Sequence, residues 1–298
     1  MIKKAVIDLG TNTFHLLIVK MDAGNTTFEV IQRKRIFVNL AEEGISKIGA
    51  DACARALEAM KKYKAILDEE RIETVKAFGT AALRTAENGA ALCRSILEHT
   101  GIEVHLIDGL EEAQFIYNGV RRAVPFGEEN QLIMDIGGGS VEFIIANRDQ
   151  VFWANSFLVG VGILFNRFHK TDPISAQEIK TVEAFLEKEL SSLLQTIKIH
   201  PCPTLTGASG AFETVVDMVP HRQITENFAE LDLNGFGGFY KKIITSTLQE
   251  RLSMPDLPDE RIQMIVVAAI LIDFILKKCG IERVYISSFA LKEGILFC

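Results

Sequence analysis

Little in this sequence points to a specialised environment. The five cysteines, Cys53, Cys93, Cys202, Cys279 and Cys298, are scattered, odd in number and without C-x-x-C spacing, which excludes a disulfide framework or a thiolate zinc site as an organising device. The six histidines show no metal-ligand spacing, and no Ser-His-Asp order stands out. No apolar run reaches the roughly 20 residues that a bilayer span needs. The longest, Ile262 to Ile272, stops at Asp273 and predicts a buried helix. At the N-terminus Asp8 interrupts the apolar run almost at once, so no export signal is expected and a cytoplasmic location, without a membrane partner, is. Positive charge is not in excess either. With 32 Lys and Arg against 39 Asp and Glu, the net charge of -7 argues against a nucleic-acid partner. A polyanionic ligand would need a local basic or amide-lined site.

What is present is ordinary globular material. A chain of 298 residues, 48% hydrophobic and 24% charged, has apolar material for two cores of about 100 to 200 residues each. The first half alternates strand and helix patterns. Residues 5–9, 14–20 and 28–37 read as a β-meander, 53–67 as the first long helix, 74–78 as a strand, 89–99 as a helix, 103–107 as a strand and 111–122 as a helix. The polar turn at 125–130 is the expected domain boundary. The second half reads as mostly helical, with helices over 175–197, 211–218, 239–252, 259–279 and 291–297 and short strands at 203–206 and 283–286. The fold class is therefore α/β.

Residues 7–18 (IDLGTNTFHLLI) align without a gap on residues 134–145 (MDIGGGSVEFII). Asp, Gly and a hydroxyl residue recur in register between apolar strands, as expected of an internal duplication in which each half opens with strand, tight turn, strand. The duplication sets His15 at the position of Glu142. Gly137, Gly138, Gly139 and Ser140 offer backbone N–H groups to an anion, and Thr11, Asn12 and Thr13 add donors in the partner loop. Asp8 and Asp135, at the strand ends, suit a hard divalent cation. The bland reading is two glycine turns capped by Asp. Neither a G-x-x-x-x-G-K-[ST] loop nor a G-x-G-x-x-G opening a helix is present.

Three further segments carry candidate chemistry, each with a plain structural alternative. Glu111 and Glu112 after Gly109 supply carboxylates of the kind that orient an attacking water, although acidic residues also simply favour helix N-termini. Arg84, in Gly79-Thr80-Ala81-Ala82-Leu83-Arg84, can bind phosphate bidentately or make a surface ion pair. Gly207-Ala208-Ser209-Gly210 repeats a strand, glycine loop, helix arrangement suited to phosphate, or is a tight turn. Arg33-Lys34-Arg35 reads as a solvated stripe or a basic rim.

The paired loops look like the phosphate hairpins of the actin, sugar kinase and heat-shock chaperone superfamily. In order, Asp8–His15, Gly79–Arg84, Gly109–Ala113, Asp135–Glu142, Gly207–Gly210, Leu257–Arg261 and Lys292–Gly294 resemble the Ppx/GppA family of exopolyphosphatases and guanosine pentaphosphate phosphatases over nearly the whole chain. The resemblance implies two actin-like, ribonuclease H-like domains with mixed sheets packed by helices, spanning 1–124 and 125–298, with an interdomain active site and a last helix returning to the first domain. It implies Glu112 as catalytic base or water-orienting residue and Glu142 as its assistant or a metal ligand. Asp8 and Asp135 would hold Mg2+ or Mn2+, and Thr11, Asn12, Thr13 and Gly137 to Ser140 would bind terminal phosphates. Arg84 would neutralise phosphate charge, and Gly207 and Ser209 would lie near the second loop.

Inorganic polyphosphate is the first expected substrate, and guanosine pentaphosphate, cut at its 5'-terminal phosphate, the second; homodimerisation stays open. The competing classes are an ATP-using kinase or chaperone of the superfamily and a non-catalytic sensor of guanosine tetraphosphate or polyphosphate. Two departures from the family pattern stand out. Asp108-Gly109 replaces Ser-Gly, an added carboxylate expected to weaken polyanion binding or shift metal preference, and Ala290-Leu291-Lys292-Glu293-Gly294 replaces Gly-Leu-Arg-Glu-Gly. The additional C-terminal helical region of longer members is not expected.

Overall fold

The computed structural model describes residues 2–22, 24 and 26–298. In chain order the elements are β1 (Ile2–Leu9), β2 (Thr13–Met21), β3 (Phe28–Phe37), α1 (Ala50–Glu69), β4 (Thr74–Gly79), α2 (Ala81–Thr85), α3 (Gly89–Thr100), β5 (Val104–Leu106) and α4 (Gly109–Ala123). There follow β6 (Gln131–Ile136), β7 (Val141–Ala146), β8 (Val151–Phe157), α5 (Val161–Phe168), α6 (Ala176–Glu189), α7 (Ser191–Ile199), β9 (Thr204–Ala208), α8 (Gly210–Met218), β10 (His221–Thr225) and β11 (Phe228–Leu231). The last are α9 (Leu233–Thr245), α10 (Leu248–Leu252), a 3-10 turn (Asp259–Arg261), α11 (Ile265–Lys278), β12 (Arg283–Ser287) and α12 (Leu291–Leu296).

These form two compact units, one of Met1–Gly119 with Leu291–Cys298 and one of Val120–Ala290. The division falls within α4, ahead of the turn at 125–130. In unit 1 the sheet order is β3-β2-β1-β4-β5, antiparallel through β1, β2 and β3 and parallel through β1, β4 and β5. α1 covers it with Ala52, Ala56, Ala59, Met60, Tyr63 and Leu67 buried, the i, i+3, i+4 stripe of an amphipathic helix. The Tyr63 hydroxyl donates to the Phe14 carbonyl at 2.6 Å. α12 closes the unit so tightly against α4 that a Cβ on Gly294 would stand 1.8 Å from the Phe115 carbonyl oxygen, which explains glycine there.

Unit 2 repeats the plan and extends it, in the order β10-β11-β12-β9-β6-β7-β8. β6, β7 and β8 are the antiparallel meander, β9 and β12 run parallel to β6, and the β10–β11 hairpin adds antiparallel to β12. The apolar run predicted as a buried helix is α11, in which every residue from Ile265 to Ile275 is buried. No described helix is long and apolar enough to cross a membrane. The segment expected as one helix over 175–197 is two, α6 opened by a Ser175–Glu178 capping box and α7, meeting at Leu190. The segment expected as one helix over 239–252 likewise divides between α9 and α10, where Thr247 opens a new capping box with Glu250. Among the cysteines, Cys202 and Cys279 are buried, and burial pushes both thiols up to about 12.

The topology decides where the motifs lie. In unit 1 the parallel strands β1, β4 and β5 end at Leu9, Gly79 and Leu106, so the loop carrying Thr11 and the helices α2 and α4 carrying Arg84 and Glu112 follow from the same carboxyl edge of the sheet, where α/β folds build their ligand sites. In unit 2 the ends of β6 and β9 likewise place residues 137–140 and Ser209 on one edge.

Candidate active site

In unit 1 the loop after β1 is held by its neighbours. Leu40 N–H donates to the Thr11 carbonyl at 2.7 Å, and Val38 and Asn39 N–H donate to that of Asn12 at 2.8 and 2.9 Å. Thr11, Asn12 and Thr13 are all buried. A Cβ at Gly10 would meet the Thr13 carbonyl oxygen at 2.8 Å, so the turn admits little but glycine. Asp8 ends the preceding strand, paired in register with His15 on β2 and Phe78 on β4. Burial, with the nearby Asp8 carboxylate adding to it, pushes the Tyr63 hydroxyl well above the usual phenol range.

The two adjacent glutamates have different surroundings. Asp108 caps α4, its Oδ1 accepting from the N–H groups of Leu110 and Glu111 at 2.8 and 2.9 Å, while Glu111 Oε2 accepts from Asp108 N–H at 3.0 Å. This reciprocal pair is a capping box. The backbone donors hold the Asp108 carboxyl below its ordinary range, and the carboxylate that departs from the family pattern thereby serves the helix start. Glu111, exposed, takes the bland role of a helix-start acid. Glu112 does not: it is 6% exposed and its Oε2 accepts from Arg84 Nη1 at 3.0 Å. The same nitrogen donates to the Ile107 carbonyl at 2.7 Å. Arg84 thus holds the carboxylate in place, a role beyond the phosphate neutralisation expected of it.

In unit 2 the loop Gly137-Gly138-Gly139-Ser140 turns its carbonyls toward the start of α5. Gly137 O accepts from Val161 N–H at 3.0 Å, Gly138 O from Gly162 N–H at 2.9 Å and Gly139 O from Gly160 N–H at 3.1 Å. A carbonyl and the next residue's N–H point opposite ways across a planar peptide. The N–H groups of Gly138, Gly139 and Ser140 therefore aim away from α5 in a shared direction, which makes a nest for an anion. Gly160, not singled out in the sequence, is what allows this: a Cβ there would stand 2.5 Å from the backbone of Gly138 and Gly139. Gly160→Ala is expected to cost roughly 1–3 kcal/mol as an overpacked site, read as a lower Tm.

Asp135 and Glu142 face each other across β6 and β7, both buried. Ser209 Oγ donates to Asp135 Oδ1 in a short hydrogen bond. Ser209 has φ +69°, a conformation few non-glycine residues adopt and one that marks functional loops. Gly207 lies in the central strand β9, opposite Met134 on β6, and also seats the Phe212 ring, which a Cβ on it would strike at 2.3 Å. Among the described residues no group of three or more His, Cys, Asp or Glu is placed to hold a metal. The donors therefore do not fit an all-protein cage. Asp8 in unit 1 and Asp135 in unit 2 each end a strand as a single carboxylate of the kind that Mg2+ takes when water and substrate phosphates complete its shell.

Arg33, Lys34 and Arg35 are exposed on β3, with Arg33 3.9 Å from the buried Glu293. A separate groove of about 750 Å³ in unit 2, between Phe126, Phe228 and Tyr285, contains none of the predicted site residues, and the Arg283 and Arg222 charges along it are already paired with Glu129 and Glu230.

Residues 17–298 match the model of the Ppx/GppA phosphatase family. The chain is 26% identical over 298 residues to a guanosine-5'-triphosphate,3'-diphosphate pyrophosphatase of Aeromonas hydrophila, covering 98% of this chain and 58% of that protein. It is 27% identical to the protein so described from Aeromonas salmonicida, again over 98% and 58%. The chain thus spans under two thirds of the length of these curated relatives. Among solved structures it is similar to an exopolyphosphatase from Cytophaga hutchinsonii, with 35% identity, a TM-score of 0.93 and coverage of 99% of this chain and 96% of that one. A Ppx/GppA protein of Aquifex aeolicus shares the fold, with a TM-score of 0.80 at 24% identity over 99% and 96% of the two chains.

Proposed function

Since the chain belongs to the Ppx/GppA phosphatase family, we propose that it hydrolyses a terminal phosphoanhydride bond, with inorganic polyphosphate as substrate and orthophosphate as product. The observation that carries the reading is Glu112, a buried carboxylate set apart from its capping neighbour and held by Arg84. Phosphoryl transfer asks little of a protein beyond positioning and charge stabilisation. Unit 1 supplies the residue that orients and deprotonates water, Glu112, together with the hydroxyl and amide donors of Thr11, Asn12 and Thr13. Unit 2 by itself offers the N–H nest of residues 138–140 for phosphoryl oxygens, with the buried Glu142 carboxylate on the neighbouring strand. Asp8 in unit 1 and Asp135 in unit 2 are each proposed as a carboxylate for Mg2+, which when bound would neutralise charge on the phosphates.

The exopolyphosphatase reading takes its support from the 35% identity to the Cytophaga protein. The names of the Aeromonas relatives favour a second reading, removal of the 5'-terminal phosphate of guanosine pentaphosphate. Phosphate release from long-chain polyphosphate and from guanosine pentaphosphate, each with Mg2+, separates the two: the larger kcat/KM identifies the substrate. Tight binding of both with release from neither would replace hydrolysis with a sensor role.

A further inference from the structure

The duplicated halves carry the same ladder across their first three strands. In unit 1 it runs Asp8, His15, Arg35 through the register of β1, β2 and β3. In unit 2 it runs Asp135, Glu142, Ser156 through β6, β7 and β8. The outer position of one half is thus a cation and that of the other a hydroxyl. Ser156 Oγ donates to Glu142 Oε1 at 2.6 Å, a short charge-assisted contact, and its own N–H donates to Asn155 Oδ1 at 2.9 Å. The β7–β8 register is regular from Val141 to Ile145, and its irregularity falls beyond, between Ile145 and Ala146, so the strand pairing itself holds Ser156 beside the carboxylate.

We infer that Ser156 is a positioning residue for Glu142, fixing Oε1 so that the side chain presents one orientation to the reaction. This rests on the hydrolase reading for its catalytic consequence. A carboxylate 2% exposed must receive hydrogen bonds to remain ionised. An arginine at this position, as unit 1 has in Arg35, would supply them and also cancel the charge. A serine supplies one proton and no charge, so it orients Oε1 without adding a counter-charge.

The test compares Ser156→Ala and Ser156→Thr with wild type, all folded by thermal melting. Two readouts are taken: kcat and KM for phosphate release from polyphosphate, and the carboxyl 13C resonance of Glu142 at one fixed pH, assigned by its loss in Glu142→Gln. Ser156→Ala is expected to lower kcat about 10- to 100-fold, the scale of lost outer-shell support, with a much smaller change in KM. The Glu142 resonance is expected to shift or broaden, and Thr to restore both. If Ala at 156 prevents folding, Ser156→Cys, close in size and a far weaker donor, carries the same comparison. An unchanged kcat overturns the inference, and so does a fall in kcat with the resonance unmoved, since that pattern reports general damage. Absence of turnover in the wild type would instead sink the hydrolase reading, and the resonance alone would then decide whether Ser156 holds Glu142.

Discussion

On the proposed hydrolase reading, Glu112→Gln is expected to lower kcat for phosphate release by about 10²- to 10⁴-fold, the usual contribution of a positioned base, with the fold intact. Gln keeps the side-chain shape and an oxygen that can accept from Arg84 Nη1, now 3.0 Å from Glu112 Oε2. What it loses is the charge and the ability to take a proton from water. The neighbouring Glu111→Gln is the matched control. Glu111 is exposed and serves the Asp108 capping box, so its replacement costs at most a few tenths to about 1 kcal/mol of helix stability and leaves kcat near wild type. Single-turnover phosphate release and thermal melts of the two variants check this. Retention of wild-type kcat by Glu112→Gln, or an equal collapse in Glu111→Gln, would remove Glu112 from its assigned role.

Arg251→Ala destabilises unit 2 by about 3–5 kcal/mol, the range for breaking a buried charged pair from one side. Arg251 is 2% exposed. Its Nε donates to the Ile262 carbonyl at 3.0 Å, Nη1 to the Ser246 carbonyl at 2.5 Å and Nη2 to Asp172 Oδ1 at 2.8 Å. The substitution leaves a void and strips a donor from each of these acceptors. The Asp172 side chain is 38% exposed and water can solvate it in the variant, which places the outcome toward the lower end. The pair also has a pH signature. Burial alone would raise the Asp172 carboxyl, but the Leu248 N–H and the Arg251 guanidinium outweigh it and hold it below the ordinary range. A depressed carboxyl stabilises the fold above the unfolded-state value, near 3.9, and that contribution is lost as pH falls through the folded value. The gap between wild type and Arg251→Ala in urea midpoints is therefore expected to narrow on acidification below about pH 4. A gap that widens there would show that Asp172 is not the partner that matters.

The local periodicities were legible because they are local. Apolar spacing sufficed for α1 and α11, and β-branched runs for β1, β2 and β3. The second half was harder. β8 reads VFWANSF and is half-buried at every position, so it lacks the in-out alternation that marks a strand, and no spacing singles out Ser156. The β10–β11 hairpin leaves no periodic signal for a related reason. All five residues of β10 are exposed, and what pairs the hairpin is β12, more than fifty residues downstream. The breaks at Leu190 and at Ser246 likewise interrupt stripes that remain continuous in sequence.

The candidate site divides along the same line. The duplicated Asp-x-Gly turns, the adjacent glutamates and the family can be read along the chain, because these are recurrences of residue type at fixed spacing and need no partner to be recognised. It takes the folded molecule to make Glu111 cap a helix while Glu112 is buried against Arg84, to seat the Phe212 ring on Gly207, and to let Gly160 turn the carbonyls of 137–139 inward so that the following N–H groups turn out. The burial of Glu112 against Arg84 and the seating of Gly160 on Gly138 and Gly139 each need residues more than twenty positions apart to arrive within about 3 Å. Such long-range contacts are set by how strands and helices pack, which no window of neighbouring residues contains.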